Sequence, residues 1–570
     1  MRHLRIAVLA LLAPASVSAQ VVRGLVVESG SRQPLYGSIV VLLDSAGTQV
    51  TGAIADSLGR FTLTAPAPGR YTLRANRIGF QSTRSDPFAL AAGQTIAQTL
   101  IASAIPVQLA AIDVTGKERC TTRPEEGRAA FAVWEEVRTA LTAATLTRQQ
   151  RLLDVRVRQF DRDVDPRSGH VLRERSWEQR GESASPFVAV SADTLEQTGY
   201  AHLTDTASWY YAPDAEVLLS DAFSEHHCFR VQQSDTLPTR LIGLAFEPVR
   251  HREVPDVQGV LWLDRATSEL QTMEFHYTGL PRAIAKDEFG GTLAFRRLPT
   301  GAWIVQRWVL RMPVLSVVQR DVLDGGGYQR EVRDTAVTGV HETGGAVLTA
   351  TTRNGTPLTL TETATLRGTV FDSTRGAPLA GALVTLAGTA NAARTDARGT
   401  FQLEVLSDGT YVVAISHPRL DSLALGAVTR SVMLRRGLVS TTQLGVPSLA
   451  SIIRNVCPDS LRTAKMAFVV GTVRDAGSGR SLGNALVTVR WTTWKLDVHT
   501  PRGASRYIEV STDRVGHYHV CGVPAGVQLA ISAQSGKVRG KADVVNPLRG
   551  GDLVLRDVLL QESDSPRQPH

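Results

Sequence analysis

One pattern returns three times in this sequence and constrains its fold more than any other feature. The first copy reads Gly24-Leu25-Val26-Val27, Gly37-Ser38-Ile39-Val40, Asp56-Ser57-Leu58-Gly59-Arg60-Phe61 and Gly69-Arg70-Tyr71. The second reads Gly368-Thr369-Val370-Phe371, Gly381-Ala382-Leu383-Val384, Asp396-Ala397-Arg398-Gly399-Thr400-Phe401 and Gly409-Thr410-Tyr411. The third reads Gly471-Thr472-Val473-Arg474, Asn484-Ala485-Leu486-Val487, Asp513-Arg514-Val515-Gly516-His517-Tyr518 and Gly526-Val527-Gln528. In every copy 16 residues separate the first Gly from the Val of the second element, three separate the Asp from its Gly, and ten separate that Gly from the next. Only the interval before the Asp varies, which places a variable loop there.

The unit has the chemistry of short strands and tight turns. Val384 and Leu386, like Phe401, Leu403 and Val405, alternate with the period of a half-buried strand. In the Asp-x-x-Gly step the carboxylate accepts backbone hydrogen bonds and the Gly takes a positive φ. The aromatic two residues later then points inward, which predicts Phe61, Phe401 and Tyr518 as core residues. Short strands with regular turn signals indicate a β-sandwich.

This pattern resembles the carboxypeptidase regulatory-like domain, a transthyretin-like sandwich of seven strands. Thr395-Asp396 and Thr512-Asp513 match the family's turn, while the first copy has Ala55-Asp56. Arg77-Ile78-Gly79-Phe80 is similar to its closing strand. In the third copy Val527-Gln528 stands where the family has a Tyr. In metallocarboxypeptidases the module accompanies a zinc hydrolase that needs a His-x-x-Glu pair, and this sequence contains none. The same modules precede the plug and barrel of some outer-membrane receptors, and Ile105 to Val114 looks like that junction.

Residues between the first and second copies carry no repeat. Glu125 to Leu146 reads as a helix with Phe131, Trp134, Val137 and Leu141 on one stripe. Strand-like runs follow at Leu152–Phe160, Leu241–Phe246, Gly259–Asp264, Leu270–Tyr277, Gly291–Leu298 and Trp303–Met312. A curved antiparallel sheet with one helix against it accounts for them. The Gly-x-Leu-Trp-Leu-Asp phrase at Gly259 and this topology resemble the half-barrel of lipoprotein-carrier proteins. A membrane barrel is the rival, and charges at Asp264, Glu274, Arg296 and Arg297 suit a soluble sheet better.

The predicted fold is therefore mainly β: three seven-stranded Greek-key sandwiches and one sheet-plus-helix domain. The predicted boundaries are 20–115, 119–350, 363–440 and 466–562, with a linker at 441–465 and a short helix near Leu449–Arg454. Arg2, His3 and Arg5, the apolar run Ile6–Ala13 and Ser16-Val17-Ser18-Ala19 have the layout of a signal peptide over 1–19. The run is too short to span a membrane. The formal charge of +8 falls to +6 without Arg2 and Arg5, and basic residues are interleaved with acids. That does not suit nucleic acid.

Four cysteines in an exported chain imply disulfides. Of three pairings, Cys120–Cys228 and Cys457–Cys521 follow from their positions around separate regions. Asp221-Ala222-Phe223-Ser224-Glu225-His226-His227-Cys228 resembles a metal site, but neighbouring histidines on a strand face opposite ways, so the expectation is a structural role with no metal. Asp214 and Glu216 read as solvated or capping carboxylates, and Gly325–Gly327 as a hairpin turn. Trp491 and Trp494 lie three apart in the variable loop and could stack on a sugar or grip a peptide; ordinary packing is the simpler reading.

These observations predict an exported, non-catalytic cell-envelope protein of the periplasm or outer surface. It needs no cofactor, and its partner is an envelope protein, a peptide or a glycan. Carbohydrate binding by the sandwiches, association with an outer-membrane receptor, and an enzyme hidden in the middle region are the alternatives.

Overall fold

The computed structural model describes residues 20–103 and 128–561, apart from 183–186, 188–189, 204–207, 234–239, 250–251, 282–283, 285–288, 324–328, 353–354, 356, 424, 426, 464, 497–500 and 547. The signal-peptide segment, the 105–114 junction, Cys120 and the 325–327 turn lie outside these residues. The chain divides into two compact units. One runs to Glu362 without residues 169–173; the other comprises that short stretch and everything from Thr363.

All three repeats form sandwiches with one topology. In the first, strand Gln20–Glu28 pairs antiparallel with Arg60–Ala65 and parallel with Thr95–Ala102. Ile39–Leu43 lies between Gln49–Ile54 and Gly69–Asn76 in the facing sheet. In the second, Ala364–Asp372 lies between Thr400–Val405 and the parallel Val439–Val446. In the third, Met466–Asp475 pairs with His517–Pro524 and with the parallel strands Leu553–Leu555 and Val558–Leu560. The variable interval of the third copy is an extended hairpin, Leu486–Leu496 against Pro501–Ser511.

The repeated residues have repeated tasks. Oδ1 of Asp56, Asp396 and Asp513 each accepts the backbone N–H groups two and four residues ahead, at 2.8–2.9 Å. Gly59, Gly399 and Gly516 have φ of 72°, 72° and 85°. Phe61, Phe401 and Tyr518 are buried as predicted. Each ring packs over the bare Cα of the opening glycine. A Cβ on Gly368 would lie 2.6 Å from the Phe401 ring and 2.5 Å from Thr442 O. Gly368→Ala should therefore destabilise the second module by about 2 kcal/mol through overpacking. Calorimetry of the full chain checks this, with Gly30→Ala in the first module as the control for a glycine whose Cβ would meet nothing and whose φ is not positive.

One departure from the motif has a local explanation. Thr395 Oγ1 accepts from Ala382 N and donates to Leu379 O, and Thr512 Oγ1 does the same between Ala485 N and Leu482 O. The first copy has Ala55 in that place. There Ser38, which replaces the alanine across the turn, donates to Leu35 O at 2.8 Å.

The middle region is a ten-stranded antiparallel sheet. Its path runs Val171–Glu182, Leu153–Val164, Gln329–Thr352, Trp303–Leu323, Gly290–Arg297, Leu270–Thr278, Asp256–Asp264, Leu241–Pro248, His227–Gln232, with Pro357–Thr359 off the path. No pairing among the described residues closes it into a barrel. Asp264 caps the predicted turn by accepting from Ala266 N and Thr267 N. Helix α1 (Arg128–Gln149) packs against the sheet, and three short helices accompany it: α2 (Ala192–Thr198), α3 (Ala215–Leu218) and α4 (Asp221–His226).

The predicted stripe on α1 is corrected at one position. Ala130, Val133, Trp134, Val137, Ala140 and Leu141 are buried, whereas Phe131 is 39% exposed. Six residues from Val137, Phe131 sits about 120° around the helix from the stripe's centre.

Two boundaries also differ from the predicted ones. The linker begins as strand, because Val439–Val446 completes the second sandwich with Thr442, Leu444 and Val446 buried. Helix α6 (Leu449–Val456), which follows α5 (Pro418–Ser422), then buries Ile452 in that module's core. The first sandwich does not stand apart from the middle region. Its own core holds Val40 and Leu42, while Ile39, Val41 and Leu43 of the same strand join the core around α1. All five residues of this strand are buried. A strand covered on both faces needs an unbroken apolar run, and Ile39-Val40-Val41-Leu42-Leu43 is one.

Candidate functional site

Among the described residues, an apolar pocket lies between α1 and the sheet. It is a cavity of about 90 Å³, lined by Ala144 and Thr145 of α1, Leu153, Val155, Leu293, Phe295, Trp303 and Val347 of the strands, and Leu218 of α3. The strands bring these side chains together because alternate residues share one face. Thr147 is fixed by the fold: its Oγ1 donates to Ala143 O and accepts from Trp303 N. Thr145 Oγ1 is buried with no hydrogen-bond partner among the described residues.

Two charged residues reach the lining. Arg148 is ion-paired with Glu216. Asp214 caps α3 by accepting from Val217 N at 2.9 Å. Burial nevertheless raises its carboxyl above the usual range, opposed by that hydrogen bond. The Asp214–Glu216 pair thus caps and pairs, as one of its predicted roles has it. It offers no second carboxylate to the cavity.

The residues from Asp221 to Cys228 are brought together differently. His226 ends α4 and His227 begins a strand. Nδ1 of His226 meets Ala222 O and its Nε2 lies 3.5 Å from Glu196. His227 is 1% exposed and stacks on Phe223, its ring nitrogens on Phe223 O and Val257 O, with Asp256 at 3.3 Å. Asp256 also accepts from Arg252 at 2.9 Å. The hydrogen bond from His227 holds its carboxyl below the usual range against the opposing effect of burial. Both imidazoles are already engaged by protein oxygens. Among the described residues, no group of three His, Cys, Asp or Glu side chains is arranged to hold a metal.

Cys457 and Cys521 form a disulfide with Cα atoms 5.7 Å apart. Cys228 is disulfide-bonded as well; its predicted partner, Cys120, lies outside the described residues. Trp491 is packed inward rather than offered to a ligand. Trp491 is 9% exposed and belongs to the core of the third sandwich with Val489 and Leu529. Its place in strand Leu486–Leu496 turns it inward with Val487 and Val489, at period two. Trp494 lies on the same strand opposite Gly503, and its side chain is outside the described set.

The sequence did not single out Glu136. It is buried at 4% exposure on α1, and its Oε2 accepts from Gly79 N of the first sandwich at 3.0 Å. Burial raises its pKa from 4.5 to about 7, helped by the neighbouring Glu135 and opposed by the Gly79 hydrogen bond. An acid at a helix position in line with Val133, Val137 and Ala140 of the apolar stripe was the available signal.

Residues 21–103 and 365–439 match the carboxypeptidase regulatory-like domain family. The third sandwich lies outside those matches, yet it repeats their topology and turn chemistry. No curated protein matches the chain. Among solved structures, the shaft pilin SpaA of Lactobacillus rhamnosus GG is 11% identical, over 37% of this chain and 100% of its own, with a TM-score of 0.14. The Bacillus anthracis TIE protein is 12% identical over 63% of this chain and 64% of its own, with a TM-score of 0.15. The major pilin subunit BcpA of Bacillus cereus is 8% identical over 96% of this chain and 100% of its own, with a TM-score of 0.13. At these scores the likenesses bear on neither arrangement nor function.

Proposed function

We propose that this chain, a carrier of carboxypeptidase regulatory-like domains, is an exported, non-catalytic cell-envelope binding protein whose middle region holds an apolar group. The observation that carries the reading is the cavity between α1 and the sheet. A concave apolar space with few polar groups is the usual form of a small-molecule site. This one has room for the end of an acyl chain or an apolar side chain. Its charged residues are a helix cap and an ion pair, which suits holding a ligand better than transforming one. Export is supported by the basic-apolar-small pattern over 1–19 and by the Cys457–Cys521 bond, which persists in oxidising compartments. No helix among the described residues is long and apolar enough to cross a membrane. The sandwiches act as scaffold in this reading.

Binding of the fluorescent fatty acid cis-parinaric acid to the full chain tests it. Leu293→Trp should fill the cavity and weaken binding at least tenfold, while a change on the exposed side of α1, Phe131→Ala, should leave it unaltered. Equal affinity in the parent and Leu293→Trp would contradict the proposal.

A further inference from the structure

We infer that the second sandwich carries a separate site for an acidic polysaccharide on the sheet formed by Thr400–Val405, Ala364–Asp372 and Val439–Val446. The strand register places the residues. Arg367 lies opposite Gln402 on one side and Thr441 on the other; Thr369 lies opposite Thr400 and Gln443. Alternation sends these side chains to the face away from the core, and Arg367, Thr400, Gln402, Thr441 and Gln443 are exposed. The result is a face of hydroxyls and amides around one guanidinium, with Glu404 at its far end accepting from Gln402 Nε2 at 3.1 Å.

Two more arginines stand at its borders. Arg394 and Arg430 line the same open surface as Arg367, and no carboxylate is among the described residues lining it. The three guanidiniums meet only neutral acceptors. Arg367 Nε donates to Gln402 Oε1 at 3.0 Å, Arg394 Nη1 to Gly381 O at 3.2 Å and Arg430 Nη1 to Gln443 O at 3.0 Å. None of them forms an ion pair among the described residues.

Charge complementarity selects an anion. A guanidinium presents a planar fork of donors that matches a carboxylate or sulfate. The flat polar face selects a ligand rich in hydroxyls over a peptide, which would need an apolar socket or an unpaired strand edge. Ala364–Asp372, which runs through the middle of the face, is paired on both sides, so the centre of the face offers no strand edge. The site is independent of the tryptophans of the third sandwich and of the cavity beside α1.

Titration calorimetry of the full chain with polygalacturonate tests the inference, with neutral dextran and polyglutamate as comparison polymers. The parent should bind polygalacturonate and not dextran, more weakly as salt rises. Replacing Arg367, Arg394 and Arg430 together by Gln should weaken binding at least tenfold. The same loss of charge in the first sandwich, through Arg23→Gln, Arg70→Gln and Arg84→Gln, should change it less than twofold. Equal losses in the two triple variants would reduce the effect to general charge and overturn the site. Polyglutamate binding as tightly as polygalacturonate would overturn the ligand class.

Discussion

Replacing Cys457 and Cys521 by serine is expected to destabilise the third sandwich by about 4 kcal/mol. The bond closes a loop with a sequence separation of 64, and the chain-entropy relation gives about that value for such a loop. Residual structure in the unfolded chain lowers it. Cys457 caps α6, and Cys521 lies in strand His517–Pro524. The staple therefore fastens a helix whose Ile452 belongs to the second module's core onto a strand of the third. Calorimetry should show one transition falling in temperature while that of the first sandwich and middle region stays in place. A double serine variant that melts like the parent would mean the loop is already restricted without the bond.

Glu136 predicts a pH dependence of similar size. Its folded pKa, about 7, lies above the unfolded value of 4.5. The fold thus favours the protonated acid, and its full contribution is present below pH 4.5. Between 4.5 and 7 the folded state holds the proton more tightly, so stability falls as pH rises. The loss approaches roughly 3 kcal/mol, taking 1.36 kcal/mol for each pKa unit. Glu136→Gln keeps the acceptor for Gly79 N and removes the charge. At pH 8 it should raise the melting temperature of the unit that contains α1, and at pH 4.5 it should match the parent. An unchanged melting temperature at pH 8 would show that water reaches the carboxylate.

The sequence made the sandwiches legible because turn chemistry is local. Asp396, Gly399 and Phe401 act within a few residues of one another, and their spacing survives in all copies. What was not legible depends on packing against distant residues. Thr442 looked like part of a polar linker, although its neighbours Leu444 and Val446 alternate with it at strand period. Phe131 read as part of the stripe, and only the position of the sheet decides which side of α1 is covered. The joining of the first sandwich to α1 did have a signal, the unbroken run from Ile39 to Leu43. The corresponding stretch of the second copy, Leu383-Val384-Thr385-Leu386, is interrupted by a polar residue and only half buried. In the middle region six of the ten strands were readable as runs, whereas Val171–Glu182 and the long Gln329–Thr352 were not. Helices α2, α3 and α4 were not, since four to seven residues carry too little periodicity and depend on the caps Ser191, Asp214 and Ser220. The candidate cavity shares that limit, because it is made by side chains from elements far apart in sequence.

The hydroxyl beside the Asp turn shows how duplicated modules can drift apart without losing their fold. Two copies keep it on Thr395 and Thr512; the first supplies one from Ser38, across the turn. The place in space is inherited, while the place in the chain is not. A lineage moving from one arrangement to the other passes through an ancestor with both hydroxyls or with neither. The ancestor with neither leaves Leu35 O without its side-chain donor, so the tolerable route runs through redundancy: the second hydroxyl arises first and the original is lost afterwards. Alignments that score column by column would count both steps as losses of identity, although the bond to the same carbonyl is kept throughout.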